Sequence, residues 1–419
     1  MKALTKISIG FLALAAVALW FTSCSSEDVA QNGGSQSDKE SLLTLTINTG
    51  KIMGSRTTDW ATDPAGANES KITDITIGIF DGKSKNVKAI IEPTKGDDGA
   101  TPGNDQFTYS TTHDKITAKV IAKALSADDD VLVAVNHKGK FKSVSDEKSF
   151  NAVTESLSEA LGTGTSQDNT NIPMYGTGKL AAGSSANSFT ADDIAVKRLL
   201  AKITLNKLSV GFSGIYASAE FTPTCCFLIN VPEKLKFADG KDSWDMTAAF
   251  NSGWAKYDSS AGSFTYTTEN SEIGCTFKEF LTTKNLSDPL TALTGTAVYG
   301  GSSSPSKVFF YTMPNGNDKA STKNTKLVIA GKFKANSTAQ EQMVYYPVPL
   351  NVTIDGGTET SGHAGDDMYK VYPNKNYICD VTIKTIGVAN PNLNLDPQDA
   401  TITIKVEDWT SVSQSTIFE

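Results

Sequence analysis

The residues best placed for covalent chemistry are Cys24 and Arg56. Cys24 follows Lys2, Lys6 and the mostly apolar run Ile7 to Phe21, which read as the charged and hydrophobic regions of an export signal. That run is short and leads into polar sequence, so a retained membrane helix is not expected. Ser23 places a small residue directly before the thiol. This is the arrangement of a lipobox, in which the cysteine is acylated after cleavage; the plainer alternative is an ordinary signal peptide with an incidental cysteine. Residues 25–40 are polar and contain Gly and Ser, which suits a tether between lipid and folded protein. Arg56 ends the tripeptide Gly54-Ser55-Arg56, small, flexible and basic, which a trypsin-like protease could enter. Lys51 is a second possible cutting site.

No other reactive residues form a recognisable constellation. None of the three histidines, His113, His137 and His363, stands in a catalytic context. Ser, Asp and His occur without a G-x-S-x-G elbow, and the dispersed acids single out no carboxylate pair. An enzyme is not expected, nor is a cofactor or a metal. Asp128-Asp129-Asp130 lacks the ligand spacing of a calcium loop and reads as a solvated turn. Beyond Cys24 the cysteines are Cys225, Cys226, Cys275 and Cys379, with no C-x-x-C spacing for zinc. In a strand Cys225 and Cys226 point to opposite faces, so at most one pairs easily with Cys275 or Cys379. Buried free thiols are the preferred reading. A formal net charge of −8 argues against nucleic acid as a partner and fits an extracellular protein.

The elements that would use these sites are strands. Leu43, Leu45 and Ile47 alternate with Thr44, Thr46 and Asn48, the period of a half-buried strand just upstream of Arg56. Ala400 to Glu407 repeats the pattern, with Ile402, Ile404 and Val406 apolar and Thr401, Thr403, Lys405 and Glu407 polar. The second strand reads as a spare for the first: a cut at Arg56 removes the N-terminal strand, and the C-terminal strand of another copy fills the groove. Between them lie strands at Lys71 to Phe80 and Val131 to His137, a helix over 149–161 stopped by Gly162, and a linker around Ser184 to Asp192. Ile194 to Val210 then reads as a long strand opening a second domain. Many short strands separated by Gly, Asn, Asp and Pro predict a mainly β protein of two sandwiches, with boundaries at 57–190 and 191–395. Residues 396–419 are expected to form an extension outside the second core.

Taken in order, these segments resemble the fimbrillins, the type V pilins of Bacteroidales, nearest the minor, Mfa-like members. The lipobox at Cys24, the strand and arginine over 43–56, VLVAVN at 131–136 and IPMYG at 172–176 carry the resemblance. RLLAKITL at 198–205, FFYTMPN at 309–315, YPNKNYICDVTIKTIG at 372–387 and DPQDATITIKVEDW at 396–409 continue it. The resemblance implies two transthyretin-like β-sandwich domains and export as a lipoprotein to the outer membrane. It implies lipid on Cys24, cleavage between Arg56 and Thr57 by an arginine-specific protease, and a donor strand at 400–408. The implied partners are other copies in a head-to-tail polymer, anchor and tip subunits, and an adhesion target that the sequence does not name. A monomeric surface lipoprotein binding glycans or host protein through Trp60, Trp244 or Trp254 is the competing reading.

Overall fold

The computed structural model describes residues 39–409, apart from 49–68, 70, 112–114, 138, 248, 285, 287–289, 292–294, 299–307 and 397–398. Strand β1 (Glu40–Asn48) turns Leu43, Leu45 and Ile47 fully inward, as its alternation requires. It lies inside its sheet. On one side it runs antiparallel to a nine-residue strand, Lys115–Lys123, and on the other parallel to Ser188–Ala195. The facing sheet contains β2 (Ile75–Phe80), β3 (Val87–Ile91), Asp130–Val135 and Met174–Lys179. Ile75, Ile77, Ile79, Val131, Val133 and Val135 meet the β1 row to make the first core. Asp130–Val135 is buried on both faces because Phe141, Phe150, Leu157 and Leu161 cover Leu132 and Ala134 from the far side.

Numbering the remaining principal strands in chain order, Lys115–Lys123 is β4, Asp130–Val135 β5, Met174–Lys179 β6 and Ser188–Ala195 β7. The second sandwich pairs β8 (Ala201–Val210), β11 (Val352–Asp355), β12 (Lys375–Ile383) and β13 (Ala400–Asp408) with the sheet of β9 (Glu220–Ile229), Lys326–Lys334 as β10 and Gln342–Pro349. Its core joins Ile203, Leu205, Leu228, Ile329, Tyr346, Tyr377 and Ile402. The protein is mainly β, as its composition indicates.

Four expectations need correction. Residues 149–161 are not one helix but two single turns, α1 (Glu147–Asn151) and α2 (Leu157–Leu161), separated by the short strand Thr154–Ser156. Ser156 explains the break: it caps α2, accepting from the Glu159 N–H, while Glu159 bonds back to the Ser156 N–H. A capped start at 156 cannot be the interior of a longer helix. The linker placed at Ser184 to Asp192 is instead a tight turn at 183–187 and the first half of β7, which lines one flank of β1. Lys197–Arg198 still pairs within the first sandwich, so the chain crosses between sandwiches at Leu199-Leu200 and no strand runs from 194 to 210. The last correction concerns the C-terminal strand: 400–408 is not an extension outside its own core. β13 pairs with β12 along all nine residues, and Ile402, Ile404 and Val406 are buried.

Candidate assembly site

The seat of β1 is defined by its neighbours. Nine residues of β1 find Cα partners on β4 and six on β7, with a bulge between Leu45 and Ile47 on the β7 side. Three fully buried aliphatic side chains fill the space between the sheets, each contributing about 1.5–3 kcal/mol of burial. Removal of the strand would leave two rows of backbone donors and acceptors without partners, beside an open apolar slot.

β13 is β1's counterpart in length and alternation. Its residues 400–406 alternate between buried and outward positions, and its apolar row has the two-residue spacing of Leu43, Leu45 and Ile47. Its own seat differs. β12 matches it over nine residues, but on the other flank β11 contributes the single pair Ile354↔Ile402. Beyond that pair, the Ile404 N–H donates to Thr353 Oγ1 at 3.3 Å. The two seats therefore hold their strands unequally, nine plus six matched positions against nine plus one.

The segment leading into β13 is pinned. Lys326, on β10 and almost wholly buried, donates through Nζ to Asn392 O at 3.1 Å and Asn394 Oδ1 at 2.8 Å. Burial lowers its pKa to about 8. Leu395 is also buried, so the Pro-containing stretch before β13 is held at a fixed base.

The far end of β13 closes on a cluster that no sequence pattern marks. Trp409 donates its indole N–H to Glu69 Oε2 at 2.9 Å and its backbone N–H to Asn374 O at 2.7 Å. The same carboxylate receives Lys202 Nζ and the Tyr311 hydroxyl through Oε1, each at 2.6 Å. Arg198 donates to Glu69 O at 2.9 Å and to Trp409 O at 2.6 Å, with its guanidinium 4.9 Å from the indole ring centroid. Tyr311 stacks on the Trp409 ring, 13° from parallel. Burial depresses the Arg198 pKa, and the Glu69 charge opposes that shift.

Cys24, Lys51, Arg56 and Thr57 lie outside the described residues, as do Trp60 and His113. Leu43, Leu45 and Ile47 are brought together with β4 and β7; Ile402, Ile404 and Val406 are brought together with β12. The two rows occupy separate cores of one chain. The four cysteines Cys225, Cys226, Cys275 and Cys379 are buried free thiols, and Cys225 and Cys226 do face different cores. Asp129 takes Lys88 at 2.8 Å, and Asp130 pairs with Lys179 at 3.2 Å and with Lys85. Asp129 and Asp130 thus join the surrounding strands through ion pairs, while Asp128 stays exposed in the turn. Of the tryptophans considered for ligand binding, Trp254 is buried and donates to the Tyr345 hydroxyl at 3.3 Å. Trp244 is half-buried, donates to Val371 O at 3.1 Å and packs edge-on against Tyr372. Neither presents an open stacking platform. His137 is buried beside Glu155 and Phe237 between the sandwiches, and burial lowers its pKa to about 3.

The sequence matches no family model and no curated protein. Solved structures do match. FimA, a fimbrilin of Porphyromonas gingivalis, covers 89% of this chain with 99% of its own, at 18% identity and a TM-score of 0.55. This chain has the fimbrillin fold. A Parabacteroides distasonis protein assigned to cell adhesion aligns over 89% of this chain and 98% of its own, at 17% identity and a TM-score of 0.57. One from Bacteroides eggerthii, also assigned to cell adhesion, covers 90% and 98% at 17% identity and 0.55. The fimbrillin likeness therefore extends over about nine-tenths of the chain and into both sandwiches.

Proposed function

We propose that this protein is a structural subunit of surface fimbriae that joins its neighbour by replacing β1 with the neighbour's β13. The observation that carries the reading is the inequality of the two seats. When β13 leaves its own place and enters a vacated β1 groove, the aliphatic burial lost and gained is similar, three side chains for three. What differs is the backbone. An empty β1 seat strands partners on two long strands, whereas an empty β13 seat strands partners mainly on one. At about 0.5–1.5 kcal/mol net for each restored hydrogen bond, the extra matched positions favour transfer into the groove. Register is enforced by the pattern: a one-residue slip would turn Thr401, Thr403 and Lys405 into the slot.

In this reading the precursor is exported as a lipoprotein through Cys24, is cut between Arg56 and Thr57 by an arginine-specific protease, and has both seats filled until that cut. Its partners are other copies of itself and the anchor and tip subunits of the same fibre, and its role is mechanical and adhesive without a catalytic step. Replacing both basic residues that follow β1, Arg56→Ala with Lys51→Ala, is expected to accumulate lipidated monomer and no fibres. The check is N-terminal sequencing of surface-sheared material together with non-boiled gels. Normal ladders from the double variant would overturn the requirement for cleavage.

A further inference from the structure

We propose that Glu69 and Arg198 form a latch on Trp409 that sets how readily β13 opens, so that the segment between the cutting site and β2 holds the residue that directly follows the donor strand. The inference rests on the fimbrial reading above for its purpose, but its physical content stands on the closed monomer alone.

β13 is anchored very differently at its two ends. At Ala400 it enters from the pinned segment at 392–395 and keeps its covalent connection there whether open or closed. Its other end must detach for the strand to leave, and that end is where the contacts concentrate. Lys375 Nζ holds Asp408 at 2.5 Å, and Asn374 and Arg198 hold the backbone of Trp409. Glu69 accepts from the indole, while Tyr311 and the Arg198 guanidinium both contact the ring. Between them, residues 403–408 have β12 on one flank and no matched β11 residue on the other. With its Ala400 end held by the segment at 392–395, β13 peels from its Trp409 end, so the seat of Trp409 opens before the rest of the strand.

The cluster joins parts of the chain that the fimbrial reading separates. Glu69 belongs to the segment between the cut and β2, Arg198 and Lys202 lie on either side of the crossing between sandwiches, and Trp409 directly follows the donor strand. Glu69 is buried, and its carboxylate is shared among a cation, a phenol and an indole. Loss of its charge or of the indole N–H removes a charge-assisted bond without emptying the ring's place.

The test uses the uncut full chain carrying Trp409→Phe or, separately, Glu69→Gln, followed by hydrogen exchange at the amides of β13, with β2 and β5 as internal references. The latch predicts exchange in β13 about tenfold faster in Trp409→Phe, with β2 and β5 at wild-type rates. Glu69→Gln, which keeps the shape and an acceptor oxygen, is expected to give a smaller rise confined to the same strand. Wild-type exchange in β13 for both variants would overturn the latch, as would an equal rise in all three strands. After cutting, the Trp409→Phe protein is expected to polymerise faster. Faster opening without faster polymerisation would leave the latch standing and count against β13 as the donor.

Discussion

Oxidised Ile404→Cys protein is expected to be cut at Arg56 and yet to form no fibres, with growth restored by reduction. Cys379 lies directly opposite Ile404 in the β12–β13 register, and both side chains face the core. The Ile404 N–H points away from β12 to Thr353, which makes Cys379 and Ile404 a non-hydrogen-bonded pair. Cα atoms in such pairs stand about 4.5 Å apart, within the span a disulfide can bridge. The introduced bond ties β13 to its own sheet without altering the β1 groove. Mass mapping verifies that Cys379 is the residue bridged, and non-boiled gels with and without reductant report assembly. Ladders from fully bridged protein would exclude β13 as the strand that is exchanged.

Ile404→Asp should have the largest effect on stability, and it should act on the isolated subunit. A strand standing apart from its own core would tolerate the charge until assembly. In this fold Ile404 is 3% exposed in the second core, so a carboxylate there loses its water without gaining a partner. The expected cost is about 4 kcal/mol or more, lowering the melting temperature of the uncut protein by roughly 10 °C or preventing folding. Thr403→Ser, on the outward face, should remain within about 0.5 kcal/mol of the parent. Thermal denaturation of the two uncut variants decides it. An unchanged melting temperature for Ile404→Asp would mean that β13 does not occupy its own sheet in solution.

These two outcomes also show where sequence reading reached and where it stopped. Alternation identified β1, β2 and β13 because a strand between a core and a second surface writes its two faces into alternate residues. It could not say which core each strand fills. Ile402, Ile404 and Val406 suit any apolar slot of the right register, and only the pairing with β12 assigns them to their own sandwich. Val153, Leu157 and Leu161 mimic a helical face, but the hydroxyl of Ser156 restarts the backbone between them. The Gly and Ser content at 183–188 suggested a linker, although the chain there turns into β7. Glu69 was invisible for a different reason. It lies in a stretch that reads as loose loop, and its partners are distant in the chain: Arg198 lies 129 residues away and Trp409 340. No local period marks a contact of that separation.

The most direct measurement of the central claim is the structure of the assembled fibre at side-chain resolution, read at the groove between β4 and β7. The account predicts that the strand opposite Ala118 and Ala191 carries Ile402, Ile404 and Val406 of the next subunit, and that each chain begins at Thr57. Density in that groove continuous with the subunit's own Leu43, Leu45 and Ile47 would contradict it.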